Sequence, residues 1–261
     1  MTGPRVTRSL ASALALAACA HVTPARAGGA TTDVEVSRVT LKLPGEGWTV
    51  SDRLPYGVGV VSAALTVDGE RRLVTIGQPG SLDSLVMLVS ATRGSRGVTV
   101  HADCDPHDDF YVRKFNRGQS TFIPLQCLEV QGPVRMPADP AALGETFGAA
   151  VAAQHARIPP GGYVVAVDVC NENGAMVSIV AVIGSHFAGL DAKPAAAALP
   201  QGMPVTVAAW ADRLGEEALG TLSSWSGRMT VPPVSFTPPP PPPPLPPGVK
   251  TALAAPAALK D

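Results

Sequence analysis

The sequence predicts an α+β fold, in which two helices pack on a mostly antiparallel sheet and a disordered, proline-rich tail follows at the C-terminus. Two observations predict this fold. Strand patterns dominate the first half of the chain, whereas helical patterns begin only after residue 139 and enclose one hairpin signal. Such segregation of strands and helices is typical of helices packed on an antiparallel sheet.

The first strands follow from an alternation of apolar and polar residues. The alternation runs over 34–43, and a Pro-Gly-Glu-Gly turn at 44–47 separates it from a short strand at 48–50. Residues 58–76 predict a hairpin. We place its turn at Asp68-Gly69, because an Asp-Gly pair tolerates the positive φ angles of a tight turn.

Three further strand segments lead into the first helix. Residues 85–91 are continuously apolar, which predicts a strand buried on both faces. Residues 98–104 alternate, and residues 122–130 are a further strand candidate. The apolar spacing then changes to three and four residues over 141–157, which predicts a helix with Asp139 as its N-terminal cap.

The last predicted elements are a hairpin and a second helix. Apolar strands over 163–169 and 175–183 flank Asn173-Gly174, a pair that favours a tight hairpin turn. A helix is predicted over 204–226 because its apolar residues recur at helical spacing. These residues are Val207, Trp210, Ala211, Leu214, Ala218, Leu222 and Trp225.

The N-terminal residues have the organisation of an export signal. Arg5 and Arg8 precede a short apolar run at 10–18 that cannot span a membrane as a stable helix. Leu16-Ala17-Ala18-Cys19 then resembles the lipobox of bacterial lipoproteins, in which the cysteine is acylated on sulfur and becomes the new N-terminus. Cleavage after Ala25-Arg26-Ala27 is the alternative and would give a secreted protein. We favour the lipobox because it directly follows the apolar run.

The lipobox resemblance also implies a location. Ala20, rather than an aspartate, follows Cys19. In enteric bacteria an aspartate at this position retains lipoproteins at the inner membrane, so the resemblance implies an outer-membrane lipoprotein that faces the periplasm. The membrane is then a partner through the lipid anchor, because several acyl chains together give firm attachment without a spanning helix.

We therefore expect four regions along the chain. They are a signal peptide at 1–18, a flexible tether at 19–32, one α+β globular domain at 33–231 and a proline-rich disordered tail at 232–261. Residues 238–244 are all proline and must adopt extended polyproline II. This run can be a stiff spacer or a ligand for an aromatic-lined groove, and the export signal favours the spacer.

Three cysteines remain in the chain after removal of either signal. An exported protein enters an oxidising compartment, which favours a disulfide. Three pairings are possible, and we favour Cys104–Cys127 because this bond would close the polar segment 105–120 into a loop. Cys170 lies in an apolar run, and we expect it to be a buried thiol that packs as a small apolar side chain.

The candidate metal ligands are His101, Cys104 and His107, which would supply imidazole and thiolate groups to zinc or copper. Two arguments count against this site. An extended segment at 98–104 would place His101 and Cys104 on opposite faces, and oxidation of Cys104 would remove the thiolate. We therefore expect no metal and no other cofactor.

Other candidate chemistry is sparse. The sequence has no nucleophile motif and no phosphate-binding glycine loop, and neither His155 nor His186 has an acidic residue nearby in the sequence. The basic patch at 113–117 follows several acidic residues, with which we expect it to form local salt bridges. These acids are Asp103, Asp105, Asp108 and Asp109.

A second resemblance concerns the start of the globular domain. Residues 41–48, Leu-Lys-Leu-Pro-Gly-Glu-Gly-Trp, look like the first strand-and-tryptophan element of PsbP-like domains. This resemblance implies an αβα sandwich and an adaptor or assembly module without a shared catalytic set. We expect Trp48 to belong to the hydrophobic core.

Composition and motifs together lead to a functional expectation. The formal net charge is −1, so the chain lacks the excess of basic residues that would indicate binding to nucleic acid. We expect a non-enzymatic envelope lipoprotein that binds or scaffolds another envelope protein. The alternatives are a periplasmic small-ligand binder and a metal or redox protein that uses the cluster at 101–109.

Overall fold

The computed structural model describes residues 23–24, 31–60, 65–92, 110–115, 125–134, 159–170, 175–195, 199–224 and 227–237. Strands in antiparallel sheets dominate these residues, and one helix packs against them, which confirms the predicted combination of an antiparallel sheet with a packed helix. The signal peptide at 1–18, the strand at 98–104, the helix at 141–157 and the proline run from residue 238 lie outside the described residues.

The described elements are twelve strands and one helix. The strands are β1 (Thr23–Pro24), β2 (Thr31–Val36), β3 (Val39–Pro44), β4 (Trp48–Val50), β5 (Leu54–Val60), β6 (Leu65–Ile76), β7 (Leu85–Thr92), β8 (Phe110–Lys114), β9 (Leu125–Gln131), β10 (Tyr163–Cys170), β11 (Met176–Ile183) and β12 (Arg228–Thr230), and the helix is α1 (Val205–Ser223).

The strands form two sheets. The large sheet has the order β1-β4-β6-β7-β11-β10-β9-β8, with β5 paired to β6, and all of its pairings are antiparallel. The small sheet has the order β12-β3-β2, and here β12 runs parallel to β3. The apolar core lies between the large sheet, the small sheet and α1, and Trp48 belongs to it as predicted.

The centre of the large sheet follows the predicted pattern closely. All eight residues of β7 are buried, which confirms a strand covered on both faces. Strands β10 and β11 pair from Tyr163↔Ile183 to Cys170↔Met176, so the predicted hairpin is confirmed. Its Asn173-Gly174 turn lies outside the described residues.

The predicted turn at Asp68-Gly69 is wrong. Both residues lie inside β6, where Asp68 pairs with Gly57 and Gly69 pairs with Tyr56 of β5. The chain instead reverses between Val60 and Leu65. A Cβ at Gly69 would collide with the carbonyl oxygen of a neighbouring residue on β7, so this glycine permits the close approach of two strands rather than a turn.

The final helix is confirmed over Val205–Ser223, with the predicted apolar residues of this span buried. Trp225 lies outside the described residues. The helix ends before the predicted residue 226 because Ser224 is extended, and Gly227, at φ 58°, leads into β12. Strand β12 pairs with β3 and was not predicted, because three residues carry too short an alternation.

The ordered domain extends beyond both predicted boundaries. Strand β1 pairs with β4, and β2 begins at Thr31, so the segment predicted as a tether at 19–32 contains strand residues. At the other end, Val231 and Pro232 are buried and Phe236 packs against the core. The first six residues of the predicted tail therefore belong to the domain, because their apolar side chains and backbone groups find partners on it.

Candidate functional site

Four residues with predicted roles lie outside the described part of the chain. They are the lipidation site Cys19, the disulfide candidate Cys104 and the metal-ligand candidates His101 and His107. Among the described residues, no group of three or more His, Cys, Asp or Glu side chains could hold a metal ion. The lipidation and metal hypotheses therefore stay predictions.

Three segments meet at one end of the large sheet and form a surface that we call the loop corner, residues 77–84, 184–190 and 231–237. Backbone hydrogen bonds join them. Gly184 N–H donates to the Ser84 carbonyl at 2.7 Å, and Ala188 N–H donates to the Ser235 carbonyl at 3.0 Å. Because β6 and β11 end here and β7 begins here, the sheet fixes the position of all three segments.

His186 and Asp83 form a side-chain pair at the loop corner. Nδ1 of His186 lies 2.8 Å from Oδ1 of Asp83, and the two side chains are 27% and 53% exposed. The backbone of His186 is also held, since its N–H donates to the Leu82 carbonyl and its own carbonyl accepts from Thr237 N–H. The carboxylate orients the imidazole and occupies Nδ1, so Nε2 is the nitrogen that a bound group would meet.

This pair was missed by the sequence analysis. Asp83 lies 103 residues before His186, so the search for an acidic residue nearby in the sequence could not find it. No local motif marks either residue. The pairing of β7 with β11 brings them together, and that register is set by the whole sheet.

Exposed apolar side chains border the same corner. Leu82 and Val205 are the large apolar residues that are exposed among those the structure describes. The Leu82 carbonyl accepts the His186 N–H, and Val205 precedes Thr206, whose carbonyl accepts the Leu190 N–H at 2.9 Å. The loop corner therefore has exposed apolar side chains at its border and the polar His186–Asp83 pair on it.

The beginning of the predicted tail is anchored at the loop corner. Phe236 packs edge-on against Phe187, with ring centroids 6.0 Å apart, and Phe187 packs edge-on against Trp210 at 5.1 Å. Trp210 Nε1 also donates to the Pro232 carbonyl. The residues that precede the proline run are therefore fixed on the domain, and the run leaves from this corner.

A second polar cluster ties the edge strand β8 to helix α1. Asp212, which is 5% exposed, accepts hydrogen bonds from the Tyr111 hydroxyl at 2.8 and 3.0 Å and from the Ala195 N–H. We call Tyr111, Arg113, Asp212 and Glu216 the helix clamp. Both oxygens of the Asp212 carboxylate are occupied by protein donors, so this buried charge is compensated within the fold.

Arg113 supplies the positive charge of the helix clamp. Its Nη1 lies 3.2 Å from Oδ1 of Asp212 as an ion pair without aligned hydrogen-bond geometry, and its Nη2 donates to Glu216 Oε1 at 3.2 Å. The guanidinium also stacks on the Phe115 ring, 4.7 Å from its centroid. Arg113 was expected to pair with acids just before it in the sequence. Its pairing with α1 was not expected and follows because β8 places Arg113 against the helix, whereas the four acids of that expectation lie outside the described residues.

The outer face of the large sheet, opposite to α1, carries a row of polar side chains. Ser90, Ser178 and Asp168 are directly opposite one another on β7, β11 and β10. Asp168 is in turn opposite Cys127 on β9. Ser178 and Asp168 each interrupt a mostly apolar strand, and Ser90 is one of two polar residues in β7, with Thr92. That interruption is a signal in the sequence, but only the strand register shows that the interruptions align.

Burial also raises the pKa of one tyrosine, Tyr163. Tyr163 begins β10, and desolvation raises its pKa above the ordinary value of 10.0. The physical cause is that the phenolate form would lose its hydration in this position. The hydroxyl is therefore neutral at physiological pH and contributes no charge to the site.

The chain matches no protein-family model, and no curated protein or solved structure is significantly similar to it. Within the residues that the structure describes, the helix is not long and apolar enough to cross a membrane.

Proposed function

We propose that this protein is an exported envelope lipoprotein whose domain is a non-catalytic binding or scaffold module. The observation that carries the proposal is Leu16-Ala17-Ala18-Cys19 placed directly after a short apolar run. In this proposal acyl chains on Cys19 hold the protein at the outer membrane, facing the periplasm. The PsbP-like element at 41–48 supports an adaptor role in the same compartment.

Strand β1 supports cleavage before Cys19. Thr23 and Pro24 pair with Val50 and Thr49 of β4. A mature chain that begins at Cys19 keeps this strand, whereas cleavage after Ala27 removes it and leaves the outer edge of β4 without that partner. The β1–β4 pairing therefore supports the proposal of lipobox cleavage.

The state of the cysteines fits the same proposal. Cys127 is disulfide-bonded, and Cys170 is a buried cysteine outside any disulfide. An acylated Cys19 has no thiol to contribute, so we propose Cys104 as the partner of Cys127. In the chain-entropy model, a disulfide that closes a loop of about twenty residues stabilises the fold by roughly 3 kcal/mol. This pairing also removes the thiolate from the alternative metal site at His101, Cys104 and His107.

The loop corner is the proposed contact surface for an envelope protein. It combines the exposed apolar residues Leu82 and Val205 with the His186–Asp83 pair. We further propose that residues 141–157 form a second helix and that the proline-rich tail is disordered and acts as a spacer. Its ten-residue proline-rich run at 238–247 would span roughly 30 Å from the corner as polyproline II.

The helix clamp supports a structural rather than a catalytic use of the buried charges. A general base needs a lone pair within reach of its substrate. Both oxygens of Asp212 instead accept hydrogen bonds from Tyr111 and the Ala195 N–H. The clamp holds β8 and residue 195 on the helix, which keeps the surface of the module in one shape.

Site-specific photo-crosslinking in intact cells tests this proposal. A photoreactive residue is placed at Leu82, at Val205 and, as a control, at Arg38. Arg38 is exposed and lies in the β2–β3 turn, where the neighbouring Ser37 N–H donates to Glu70 near the opposite end of the large sheet. We expect both corner positions to capture the same envelope protein and Arg38 to capture much less. Equal capture at all three positions, or none at the corner, contradicts the proposal.

A further inference from the structure

Residues 234–237, which we call the strap, lie on the loop corner as a short extended segment. They run antiparallel to residues 186–188, which we call the docking edge. Two backbone hydrogen bonds join the two segments, with donor–acceptor distances of 3.0 and 2.6 Å. The bonds flank Phe236 and Phe187, which form an isolated antiparallel bridge. The strap therefore binds the docking edge in the way that an added peptide strand binds the edge of a sheet.

The side chains of the strap alternate between the core and the solvent. Val234 and Phe236 are half-buried and pack against the core, whereas Ser235 and Thr237 are exposed. The Phe236 ring meets the Phe187 ring edge-on at 6.0 Å. Because the hydrogen bonds flank this pair, its side chains are of the type that lies closest across two antiparallel strands. The docking edge thus accepts an extended chain with an apolar residue, one intervening residue and an aromatic residue.

The docking edge is held by the domain on its other side. The His186 N–H donates to the Leu82 carbonyl at 3.0 Å, and the Leu190 N–H donates to the Thr206 carbonyl at 2.9 Å. Gly189 has a φ of 71°, and a Cβ there would collide with the Thr206 carbonyl, so this glycine lets the segment lie directly on α1. These contacts do not involve the strap, so the docking edge should keep its shape when the strap leaves.

The strap can leave without breaking either sheet, because it belongs to neither of them. It forms a single bridge, and its two apolar side chains are half-buried. Segments with few buried contacts open at a lower free energy than the core. Pro232 and Pro233 link the strap to the domain, and so short a link keeps it at a high effective concentration near the docking edge. A partner that binds there must therefore compete with the strap.

We propose that the strap is an internal ligand that occupies a peptide-binding site at the loop corner. The partner is an extended segment of an envelope protein that carries an apolar residue, one intervening residue and an aromatic residue. After the strap has left, this segment adds to the docking edge as a strand and places its aromatic ring against Phe187. The inference rests on the proposed function, because it names the chemistry by which the loop corner binds its partner.

A fluorescent peptide with the sequence of residues 232–238, Pro-Pro-Val-Ser-Phe-Thr-Pro, tests this inference. Its binding to the purified full chain is measured by fluorescence anisotropy. Phe236→Ala removes the aromatic side chain of the strap, and Thr237→Pro removes the N–H that donates to the His186 carbonyl. Both variants should bind the peptide at least about tenfold more tightly than the wild type, because a site that is mostly closed has a proportionally lower apparent affinity.

Two controls separate displacement of the strap from unspecific binding. Ser235→Ala changes an exposed side chain and keeps the carbonyl that accepts from the Ala188 N–H, so it should bind the peptide as weakly as the wild type. A peptide with alanine in place of its phenylalanine should not bind to Phe236→Ala. Thermal unfolding shows that each variant is folded.

Three results would overturn the inference. The first is that folded Phe236→Ala and Thr237→Pro bind the peptide no more tightly than the wild type. The second is equal binding of the alanine peptide. The third is a wild-type dimer that Phe236→Ala abolishes, since the strap would then bind a second copy of the chain. The peptide assay does not depend on acylation of Cys19 or on capture in cells, so its failure is distinguishable from failure of the proposed function.

Discussion

The substitution Tyr111→Phe tests the helix clamp with the smallest possible change. It removes one hydroxyl, which donates to both oxygens of Asp212 at 2.8 and 3.0 Å, and leaves the aromatic ring in the core. A hydrogen bond to a charged group contributes about 1.5–3 kcal/mol. Asp212 keeps Arg113 and the Ala195 N–H as partners, so we expect a loss near the lower half of that range.

The assay is urea unfolding followed by tryptophan fluorescence, with thermal unfolding as a second measurement. A loss of about 2 kcal/mol lowers Tm by roughly 4–8 °C for a domain of this size. Tyr163→Phe is the matched control, because the Tyr163 side chain is also buried but its hydroxyl makes no hydrogen bond among the described residues. We expect the control to change stability by less than about 0.5 kcal/mol at neutral pH.

A double-mutant cycle with Asp212→Asn isolates the interaction itself. If the hydroxyl and the carboxylate act together, the two substitutions should be non-additive by about 1 kcal/mol or more. The clamp interpretation is refuted if Tyr111→Phe costs no more than Tyr163→Phe, or if the cycle gives a coupling energy near zero.

Three further predictions concern the helix, the sheet and the tail. On α1, Gly220→Ala should stabilise the protein by about 0.5–1 kcal/mol, because the added Cβ would meet open space. Gly215→Ala should destabilise it by about 1–2 kcal/mol, because the added Cβ would collide with the Phe115 ring. Equal gains for both variants in urea unfolding would contradict this contrast. Burial raises the pKa of Tyr163, so its contribution to stability is complete below about pH 10 and decreases as the pH rises towards the folded-state pKa. Tyr163→Phe should therefore lose less stability than the wild type as the pH rises above about 10, and parallel curves would show that this tyrosine is not the cause. Phe236→Ala should cost about 1–2 kcal/mol, roughly half of the loss for a fully buried phenylalanine, because Phe236 is half-buried against Phe187; an unchanged Tm would mean that this segment is not anchored.

The sequence correctly predicted those strands and that helix whose apolar residues all pack into the core. Strand β7 is apolar at nearly every position and is buried on both faces, and the hairpin of β10 and β11 has its turn signal at the strand ends. The apolar spacing of α1 faces one continuous core, so its period is visible in the sequence. In each of these elements the local pattern and the tertiary packing agree.

Long-range contacts decided the features that the sequence did not predict. Asp68-Gly69 has the composition of a turn, but the packing of β7 against Gly69 uses the glycine for close approach. Strand β8 lies in a polar segment. Pairing with β9 and the contacts of Tyr111 and Arg113 with α1 stabilise this strand. Neither contact leaves a periodic pattern in the strand itself.

Some features of the candidate site were visible in the sequence, and others depended on long-range contacts. The single polar residues in apolar strands, such as Asp168 in β10, were visible in the sequence as interruptions. Their alignment across the outer face required the register. The His186–Asp83 pair left no local signal, because it joins residues on separate segments of the chain.

The most direct test of the central claim, acylation of Cys19, is the intact mass of the protein purified from a membrane fraction, measured with and without thiol alkylation. The account predicts a chain that begins at Cys19, is heavier than the bare polypeptide by its acyl chains, and gains one alkyl group. Replacement of Cys19 by alanine should abolish the acyl mass and release the protein from the membrane. A wild-type chain that begins at Gly28 without acyl mass would contradict the account, and three alkylated cysteines would contradict the disulfide.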